Sequence, residues 1–242
     1  MGVACNNFKG VDQLKGEVPS LSVALEVIDT AFRKYCLSCD AKSGEVFDLS
    51  RVLIAFNGGK DCTVILNLIL ARIKTLPNTR GSIRLMYIKD SKEETFFEVA
   101  EFVEKTKKET KLESIEVENG SMKQALEQIV AAHPEVRAIF MGTRASDPNA
   151  GWMDYFCSTS PGWPQIDLVA PILRMSYADV WRVIRGLGLD YCSLYARGYT
   201  SIGARSNTRP NPILRLDDSS EAYYYLHADQ LVDESKERLG RS

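Results

Sequence analysis

The chain has 242 residues, 45% of them hydrophobic, and carries a formal net charge of −2 at pH 7. This length and composition favour one large domain with a sizeable core. The small negative charge argues against a general nucleic-acid or membrane-surface role, because both usually need an excess of basic residues. Any anion-binding site must therefore be local.

The six cysteines are scattered along the chain, and only two histidines accompany them. A structural zinc site is therefore not expected. The sequence contains no signal peptide and no apolar run of membrane length, which predicts a cytoplasmic protein with reduced thiols. We expect it to act on small molecules as a monomer, without nucleic-acid or membrane partners.

The first residues, 1–19, are polar and are expected to form a flexible N-terminal arm. Apolar spacing predicts a helix over 21–35, which a polar connection follows. After that connection, apolar runs predict strands at 52–56, 82–88, 114–117 and 137–141, and helical spacing predicts helices at 63–73, at 93–107, from 121 and from 176. Ser121 and Gln124 form a capping box at one of these helix starts. A final helical extension is predicted over 217–242.

This alternation predicts an α/β fold with a mostly parallel sheet and helices on both faces, formed by residues 20–216 and including an irregular C-terminal substrate-binding segment. In such sheets ligands bind beyond the carboxyl ends of the strands. The loops at 57–62 and 142–148 each follow a predicted strand, so we expect them to share one rim. The segment 149–171 has no periodicity, and loops of that length are usually functional.

The loop that follows the first of these strands runs Phe-Asn-Gly-Gly-Lys-Asp-Cys at 56–62 and leads directly into a helix. The first amides of a helix lack partners within it and carry the positive end of its dipole, so they bind anions. Gly58 and Gly59 allow the positive backbone angles of a concave nest of N–H groups. We predict a phosphate-binding loop, although its spacing is neither that of the P-loop nor that of the dinucleotide loop. The alternative is a turn that needed glycine for its backbone alone.

Charged residues occur at both predicted loops. Lys60 can pair with a phosphate oxygen and Asp61 can hold a Mg²⁺ ion that shares it; the alternative is a solvated first turn. Arg144 and Asp147 follow Gly142 at a strand end, where the guanidinium group suits phosphate and the carboxylate can accept from a sugar-like hydroxyl. The alternative for that pair is a salt bridge that fixes the loop.

The two irregular segments contain further candidates. Arg197, Arg205 and Arg209 could clamp a polyphosphate, and each could equally be an ordinary charge of a surface loop. Trp152 and Trp163 lie in the segment 149–171, where aromatic side chains could enclose a planar heterocycle. The alternative is that these aromatic residues hold the loop against the core.

Taken together, several segments resemble the eukaryotic FAD synthases, also called FMN adenylyltransferases. The segment 56–62 is similar to the S-G-G-x-D-S pyrophosphate loop of ATP pyrophosphatases, with Asn57 and Cys62 in place of the two serines. Further segments match in the same order: Gly-Ser-Met-Lys-Gln-Ala-Leu at 120–126, Met-Gly-Thr-Arg-x-x-Asp-Pro at 141–148, Pro-Gly-Trp-Pro at 161–164, Gly-Tyr-Thr-Ser-Ile-Gly at 198–203 and Asn-Thr-Arg-Pro-Asn-Pro at 207–212. The resemblance covers residues 20–216.

The resemblance implies a fold like that of PAPS reductase and the conversion of FMN and ATP to FAD and pyrophosphate with Mg²⁺. It implies catalytic roles for Asn57, Asp61 and Arg144, with Asp61 also near the metal. The implied ATP-binding residues are Phe56, Asn57, Gly58, Gly59, Lys60, Asp61, Cys62, Ile88 and Gly142. The implied FMN-binding residues are Arg144, Asp147, Trp163, Arg205 and Arg209.

Our mechanistic hypothesis is an in-line attack of an FMN phosphate oxygen on the α-phosphorus of ATP, in which the protein positions two anions and neutralises charge. Cys62 is interpreted as a packing residue, because no histidine is evident as its base. The alternatives are another ATP pyrophosphatase-type or PAPS reductase-like enzyme, or a nucleotide- or flavin-binding protein without turnover. A PAPS-type reductase needs a reactive cysteine in its C-terminal tail, and none follows Cys192.

Overall fold

A computed structural model of the chain describes residues 8–40, 44–89, 94–118, 121–148, 150–216 and 224–242. The helices are α1 (Phe8–Leu14), α2 (Pro19–Ala31), α3 (Lys60–Ile73), α4 (Phe97–Thr110), α5 (Met122–Ala132) and α6 (Tyr177–Leu187). The strands are β1 (Leu37–Asp40), β2 (Gly44–Asp48), β3 (Val52–Ala55), β4 (Thr79–Arg80), β5 (Arg84–Lys89), β6 (Ser114–Glu118), β7 (Ala138–Phe140), β8 (Phe156–Ser158) and β9 (Asp167–Val169). Within these ranges, no helix combines the length and the apolar character needed to span a bilayer.

The main sheet has the strand order β6-β5-β3-β7-β9-β8. All neighbouring strands run parallel except β8, which pairs antiparallel with β9 at the edge. Strand β3 lies inside this sheet: Ile54 is in register with Leu85 of β5 on one side and with Phe140 of β7 on the other. The predicted α/β fold with a mostly parallel sheet is therefore confirmed.

The two faces of β3 are buried in different parts of the core. Val52 and Ile54 pack into the larger cluster, with the apolar side chains of α2, α3 and α6. Leu53 points to the other face and packs with Leu126 and Ile129 of α5. Alternate side chains of a strand point to opposite faces, so this division confirms the predicted helices on both faces of the sheet.

Local sequence signals fix several helix ends. The predicted capping box is confirmed: the Gln124 amide donates to Ser121 Oγ at 3.3 Å, and the Ser121 amide donates to Gln124 Oε1 at 3.0 Å. At α6, Ser176 accepts from the Asp179 amide, and Gly188 ends the helix with a positive φ of 61°. These contacts take up backbone groups that a helix end leaves without partners.

The prediction of a flexible arm over 1–19 is wrong for the part of it that the structure describes. Residues 8–14 form α1, and the side chains of Val11 and Leu14 are buried. Leu14 packs so closely on α6 that a Cβ added at Gly186 would lie 2.3 Å from Leu14 Cδ1. The apolar contact with α6 therefore orders this polar stretch; residues 1–7 lie outside the described part of the chain.

The predicted helical extension over 217–242 is also wrong where it is described. In residues 224–242 the only helical elements are the 3₁₀ turns Ala228–Gln230 and Glu234–Lys236. Their backbone groups bond to the body of the protein instead: the Leu226 amide donates to Leu214 O, and Gly240 O accepts from the Arg209 amide. Residues 217–223 lie outside the described ranges, and the division of the chain at residues 20 and 216 stays a prediction.

Sequence patterns missed five short strands. β1, β2 and β4 form a second sheet in the order β1-β2-β4, partly in a stretch that we expected to be a polar connection. β8 and β9 lie within the segment 149–171, which we expected to be irregular. Each of these strands includes polar residues, so it lacks the continuous apolar run that predicted the equally short β3 and β7.

Candidate active site

The turn between β3 and α3 depends on glycine at one position. Gly58 has a φ of +78°, and a Cβ there would lie 3.1 Å from Val103 Cγ2. The expectation of a positive angle is therefore confirmed for Gly58 and is wrong for Gly59, whose φ is −72°. At Gly59 the absence of a side chain allows the close approach of Asn57, because a Cβ would lie 3.1 Å from Asn57 Oδ1.

Protein groups already accept two of the amides in this turn. The Gly59 amide donates to Asn57 Oδ1 at 3.0 Å, and the Lys60 amide donates to the Tyr195 hydroxyl at 2.8 Å. Among the described residues, the next two amides of α3, those of Asp61 and Cys62, have no acceptor. An anion bound at this helix start would therefore meet the amides of Asp61 and Cys62.

Cys62 is a packing residue rather than a nucleophile in this structure. Its Sγ contacts Asn57 Oδ1 at 3.0 Å and Gly59 O at 3.1 Å. Burial raises the pKa of the thiol to about 12. A thiol with this pKa remains protonated at neutral pH and is a poor nucleophile.

The loop after β7 lies directly against the start of α3. A Cβ added at Gly142 would lie 2.8 Å from Cys62 N and 3.1 Å from Asp61 C, both of which are backbone atoms. The strands that precede the two loops are neighbours in the sheet, with Leu53 in register with Ile139. The two loops therefore share one rim at the carboxyl ends of β3 and β7, as the sequence predicted.

Behind this rim, two cations and two carboxylates form a buried cluster. Lys60 Nζ lies 2.9 Å from Asp61 Oδ2 and 2.6 Å from Glu237 Oε1. Arg144 Nη2 donates to both carboxylate oxygens of Glu237, at 2.6 and 2.5 Å. The side chains of Lys60 and Arg144 are each only 2% exposed. The four formal charges cancel, which is the usual condition for burying so many ionised groups.

One contact in the cluster is close without being a hydrogen bond. Arg144 Nε lies 2.8 Å from Asp61 Oδ1, yet the N–H does not point at the oxygen, and both buried atoms lack a hydrogen-bond partner among the described residues. The attraction between them is therefore mainly coulombic. The Asp61 side chain keeps 22% of its surface exposed, which places this carboxylate at the border between the cluster and solvent.

These charges set the protonation states of the cluster. Burial works against ionisation of Asp61, but the charges of Lys60 and Arg144 outweigh it and lower the pKa of that carboxyl group. Burial likewise disfavours the charged form of Arg144, and the carboxylates of Asp61 and Glu237 outweigh it and raise the pKa of the guanidinium group. Both residues therefore remain charged at neutral pH.

Asp147 behaves differently from Asp61. Its Oδ2 accepts the backbone amide of Arg144 at 2.8 Å, which closes the loop after β7. Burial is the largest influence on its carboxyl group and raises the pKa, and the charges of Asp61 and Glu237 add to the effect. Two carboxylates on one rim thus have pKa values shifted in opposite directions, a pattern common at functional sites.

The rim encloses a cavity of about 380 Å³. Nine residues that the sequence assigned to ATP or FMN line it, namely Phe56, Asn57, Gly59, Lys60, Asp61, Cys62, Ile88, Gly142 and Asp147. Gly58 does not line it, because it packs on Val103, and Arg144 lies behind the wall in the buried cluster.

A second cavity of about 180 Å³ adjoins the first, and the two share Met86, Met122 and Met141. Its lining is mainly apolar and includes Trp152 and Trp163, two of the aromatic residues that the sequence singled out. Trp163 packs against the smaller core cluster, whereas Trp152 is 69% exposed. The site thus consists of a polar compartment and an apolar one.

The three candidate arginines of the irregular segment, of which Arg205 and Arg209 were predicted to bind FMN, lie outside these two cavities. Arg205 pairs with Glu94 at 2.7 Å, Arg209 donates to the carbonyl groups of Arg205 and Thr208, and Arg197 pairs with Glu98. None of the three lines either cavity.

Several residues that line the polar cavity were missed by sequence reasoning. Tyr195, Ser201 and Ile202 come from the segment after α6, and Glu237 and Arg238 come from the C-terminal segment. Arg238 has no carboxylate partner among the described residues, and its Nη1 lies 3.5 Å from Ser201 Oγ. A charge run near a chain end gives no sign of long-range burial, so no local signal could have found Glu237.

The class of protein follows from this fold and from a family comparison. The family described as the phosphoadenosine phosphosulfate reductase domain matches residues 51–134 and 119–210, which include both loops of the rim. A crystal structure of phosphoadenylyl-sulfate reductase from Candida auris, 15% identical, superposes with a TM-score of 0.52 over 82% of this chain and 96% of that one. The chain shares this fold.

More similar proteins narrow the family. A probable FAD synthase from Schizosaccharomyces pombe is 32% identical over 234 residues, which cover 96% of this chain and 82% of that protein. A probable FAD synthase from Caenorhabditis elegans is 36% identical over 199 residues, covering 82% of this chain but only 38% of that longer protein. The chain belongs to the FAD synthase family, which confirms the resemblance found in the sequence.

A solved structure agrees with this assignment at the level of the fold. The crystal structure of Candida glabrata FMN adenylyltransferase superposes with a TM-score of 0.82 at 22% identity, over 99% of this chain and 95% of that one. The similarity includes the C-terminal part of the chain, where α-helix was wrongly predicted.

Proposed function

We propose that the chain is an FMN adenylyltransferase, which makes FAD and pyrophosphate from FMN and ATP. The observation that carries the proposal is the pair of adjoining cavities, one polar at the start of α3 and one apolar beside Trp163. A phosphate chain suits the first and a flat heterocycle suits the second. The names of the Schizosaccharomyces pombe and Caenorhabditis elegans relatives agree with this reaction.

On the ATP side, the amides of Asp61 and Cys62, which have no acceptor among the described residues, would bind the departing pyrophosphate. Arg238 supplies a cation at the same cavity, since no described carboxylate holds it. Lys60 is less suited to direct phosphate contact than its sequence position implied, because its ammonium group bonds to Asp61 and Glu237. Ile88 offers an apolar surface for the adenine ring.

On the FMN side, the apolar cavity would hold the isoalloxazine ring between Trp163 and the shared methionines, where burial and stacking favour a flat ring. Asp147 lines the polar cavity and would accept from a hydroxyl of the FMN chain. This arrangement would bring the FMN phosphate to the border of the two cavities, next to the α-phosphate of ATP.

Asp61 is the residue that fits a Mg²⁺ ion. Its carboxylate lines the polar cavity and the side chain is 22% exposed, and carboxylate oxygens are the ligands that Mg²⁺ prefers. The described residues contain no group of three His, Cys, Asp or Glu side chains that could hold a metal, so the ion would take its other ligands from phosphates and water. When bound, it would neutralise phosphate charge.

The chemistry is an in-line displacement at the α-phosphorus. An FMN phosphate oxygen forms the new P–O bond, the bond to the bridging α,β-oxygen breaks, and pyrophosphate leaves with the electron pair. The residues of the chain bind and orient the two anions and stabilise charge, so no side chain acts as a nucleophile. The raised pKa of Cys62 agrees with this, because the thiol beside the phosphates remains neutral.

The direct test is to incubate the purified chain with Mg-ATP and FMN and to measure FAD by chromatography and pyrophosphate by a coupled assay. We expect the two products in equal amounts, and no dinucleotide when riboflavin, which lacks the attacking phosphate, replaces FMN. ATP with a chiral thiophosphate at the α-position should give product of inverted configuration. Binding of both ligands without product would contradict the proposal and favour a non-catalytic binding protein.

A further inference from the structure

The C-terminal segment is fixed to the body of the protein on both sides of Glu237. Asn211 Nδ2 donates to Lys236 O at 2.9 Å, and Thr200 Oγ1 donates to Glu237 O at 2.6 Å. Further along, a Cβ at Gly240 would lie 2.2 Å from Arg209 O, so no larger residue fits there. This segment is therefore a built part of the site wall and not a loose tail.

The Glu237 carboxylate pairs with both buried cations, Lys60 and Arg144. Its Oε1 accepts from Lys60 Nζ and from Arg144 Nη2, both at 2.6 Å. These cations belong to different elements, because Lys60 begins α3 and Arg144 follows β7. The Glu237 carboxylate is thus the point at which the C-terminal segment and both rim loops are joined.

We infer that Glu237 is a positioning residue for adenylyl transfer: it holds Lys60 and Arg144 in place, and through them it fixes the Asp61 carboxylate at the rim of the cavity. This inference rests on the proposed function. Both cations contact Asp61 as well as Glu237. Without the Glu237 charge, the two cations would share one carboxylate, and the geometry of Asp61 and of the α3 start would change.

An alternative role for Glu237, competition with a substrate phosphate, gives a different prediction. A carboxylate between two cations could instead occupy the place of a substrate phosphate and compete with it. The burial of the cations argues against this, since Lys60 and Arg144 are 2% exposed and Arg144 does not line the cavity. If Glu237 competed with phosphate, its neutralisation would lower the KM for ATP and leave kcat unchanged.

The test compares Glu237→Gln, which keeps the shape but removes the charge, with Glu234→Gln. Glu234 lies in the same segment and accepts the amides of Tyr177 and Ala178, so it tethers the segment without touching the cluster. We expect kcat for FAD formation to fall by roughly 10²-fold in Glu237→Gln, because small displacements at a reacting centre have effects of this size. The KM for ATP should stay the same or fall, since the cluster gains one net positive charge.

The control Glu234→Gln should keep kcat within about twofold of the unaltered chain, as is usual for substitutions away from a buried network. If Glu237→Gln folds poorly, Glu237→Asp serves instead, because its shorter side chain keeps the charge but cannot span both cations. This variant should also reduce kcat by a larger factor than it changes KM. Unchanged kcat in either variant would overturn the positioning role while leaving the proposed function intact. Failure of the unaltered chain to make FAD would overturn both.

Discussion

The hydroxyl of Tyr195 accepts the backbone amide of Lys60 at 2.8 Å, although 135 positions separate the two residues in the chain. Burial raises the pKa of Tyr195 well above its usual value, so the hydroxyl is neutral and keeps its own proton to donate. Tyr195 also lines the polar cavity. One phenol therefore accepts the first amide of α3 and would also offer a donor to an anion in the cavity.

Removal of this hydroxyl should lower stability. In Tyr195→Phe the Lys60 amide loses its acceptor inside the protein, and a buried donor without a partner costs about 1–3 kcal/mol. We expect the free energy of unfolding, measured by urea denaturation without ligands, to fall by that amount. Tyr224→Phe is the control, since Tyr224 is 65% exposed; equal stabilities of the two variants would contradict the role of the bond.

Gly142 should tolerate no side chain. A Cβ there would lie 2.8 Å from Cys62 N, and a backbone atom cannot move aside as a flexible side chain can. Gly142→Ala should therefore push the start of α3 from the rim, at a cost of about 1–3 kcal/mol for overpacking, and should reduce FAD formation strongly.

The matched control for this substitution is Gly151→Ala, where an added Cβ would meet nothing within 4 Å. Melting temperatures and rates of FAD formation of both variants give the comparison. Gly142→Ala with the activity of Gly151→Ala would mean that the two rim loops need not be in close contact.

The sequence could predict those parts of the site that depend on residues close to one another in the chain. The β3 strand, the turn and α3 are encoded within about twenty residues by an apolar run, glycines and helical spacing, so the local pattern was sufficient. The meeting of the two loops also followed, because parallel strands bring their carboxyl ends to one rim. These parts needed no knowledge of distant contacts.

The contacts of the C-terminal segment could not be predicted in this way. Glu237 lies 177 positions from Lys60 in the chain, and nothing in its neighbourhood distinguishes it from the exposed Lys236. The inward direction of Lys60 was missed for the same reason, because its partner lies in that segment. A helix was predicted there from local pattern alone, whereas hydrogen bonds to residues 207–214 decide the backbone conformation.

Substitutions of Arg144 and of Asp61 should separate effects on stability from effects on activity. Arg144→Met leaves Glu237 and Asp61 with Lys60 alone, and breaking a buried ion pair costs about 3–5 kcal/mol. Asp61→Asn leaves both cations paired with Glu237, so the loss of stability should be smaller. It should nevertheless abolish FAD formation, because it removes the carboxylate that would hold Mg²⁺. Denaturant unfolding and the FAD assay measure the two effects.

Arg182→Met is the control for this pair, because Arg182 is 59% exposed and its salt bridge lies on the surface of α6. It should change stability by less than about 1 kcal/mol. Arg144→Met as stable as Arg182→Met would refute the view that the cluster is a buried network, and full activity of Asp61→Asn would refute the role of that carboxylate.

Asp147 gives a prediction of pH dependence. Burial raises the pKa of its carboxyl group in the folded protein above about 3.9, the value of an unfolded aspartate. Below that value both states are protonated and the group has no effect. As the pH rises through the unfolded value and up to the folded one, the unfolded chain ionises more readily, so the group makes folding less favourable, and above the folded value this loss is constant.

Asp147→Asn removes this loss and can keep the hydrogen bond from the Arg144 amide through its side-chain oxygen. We therefore expect the variant to be more stable than the unaltered chain at pH 7, with a difference in melting temperature that shrinks toward zero near pH 3. Asp154→Asn, an exposed position in the next loop, should show no such trend. Asp147 lines the cavity, where its carboxylate would accept from a hydroxyl of FMN, so the stabilised variant should also make FAD more slowly. This is the usual trade-off in which a residue kept for function lowers stability. A variant less stable than the unaltered chain at pH 7 would mean that the ionised carboxylate is held by contacts stronger than the cost of its burial.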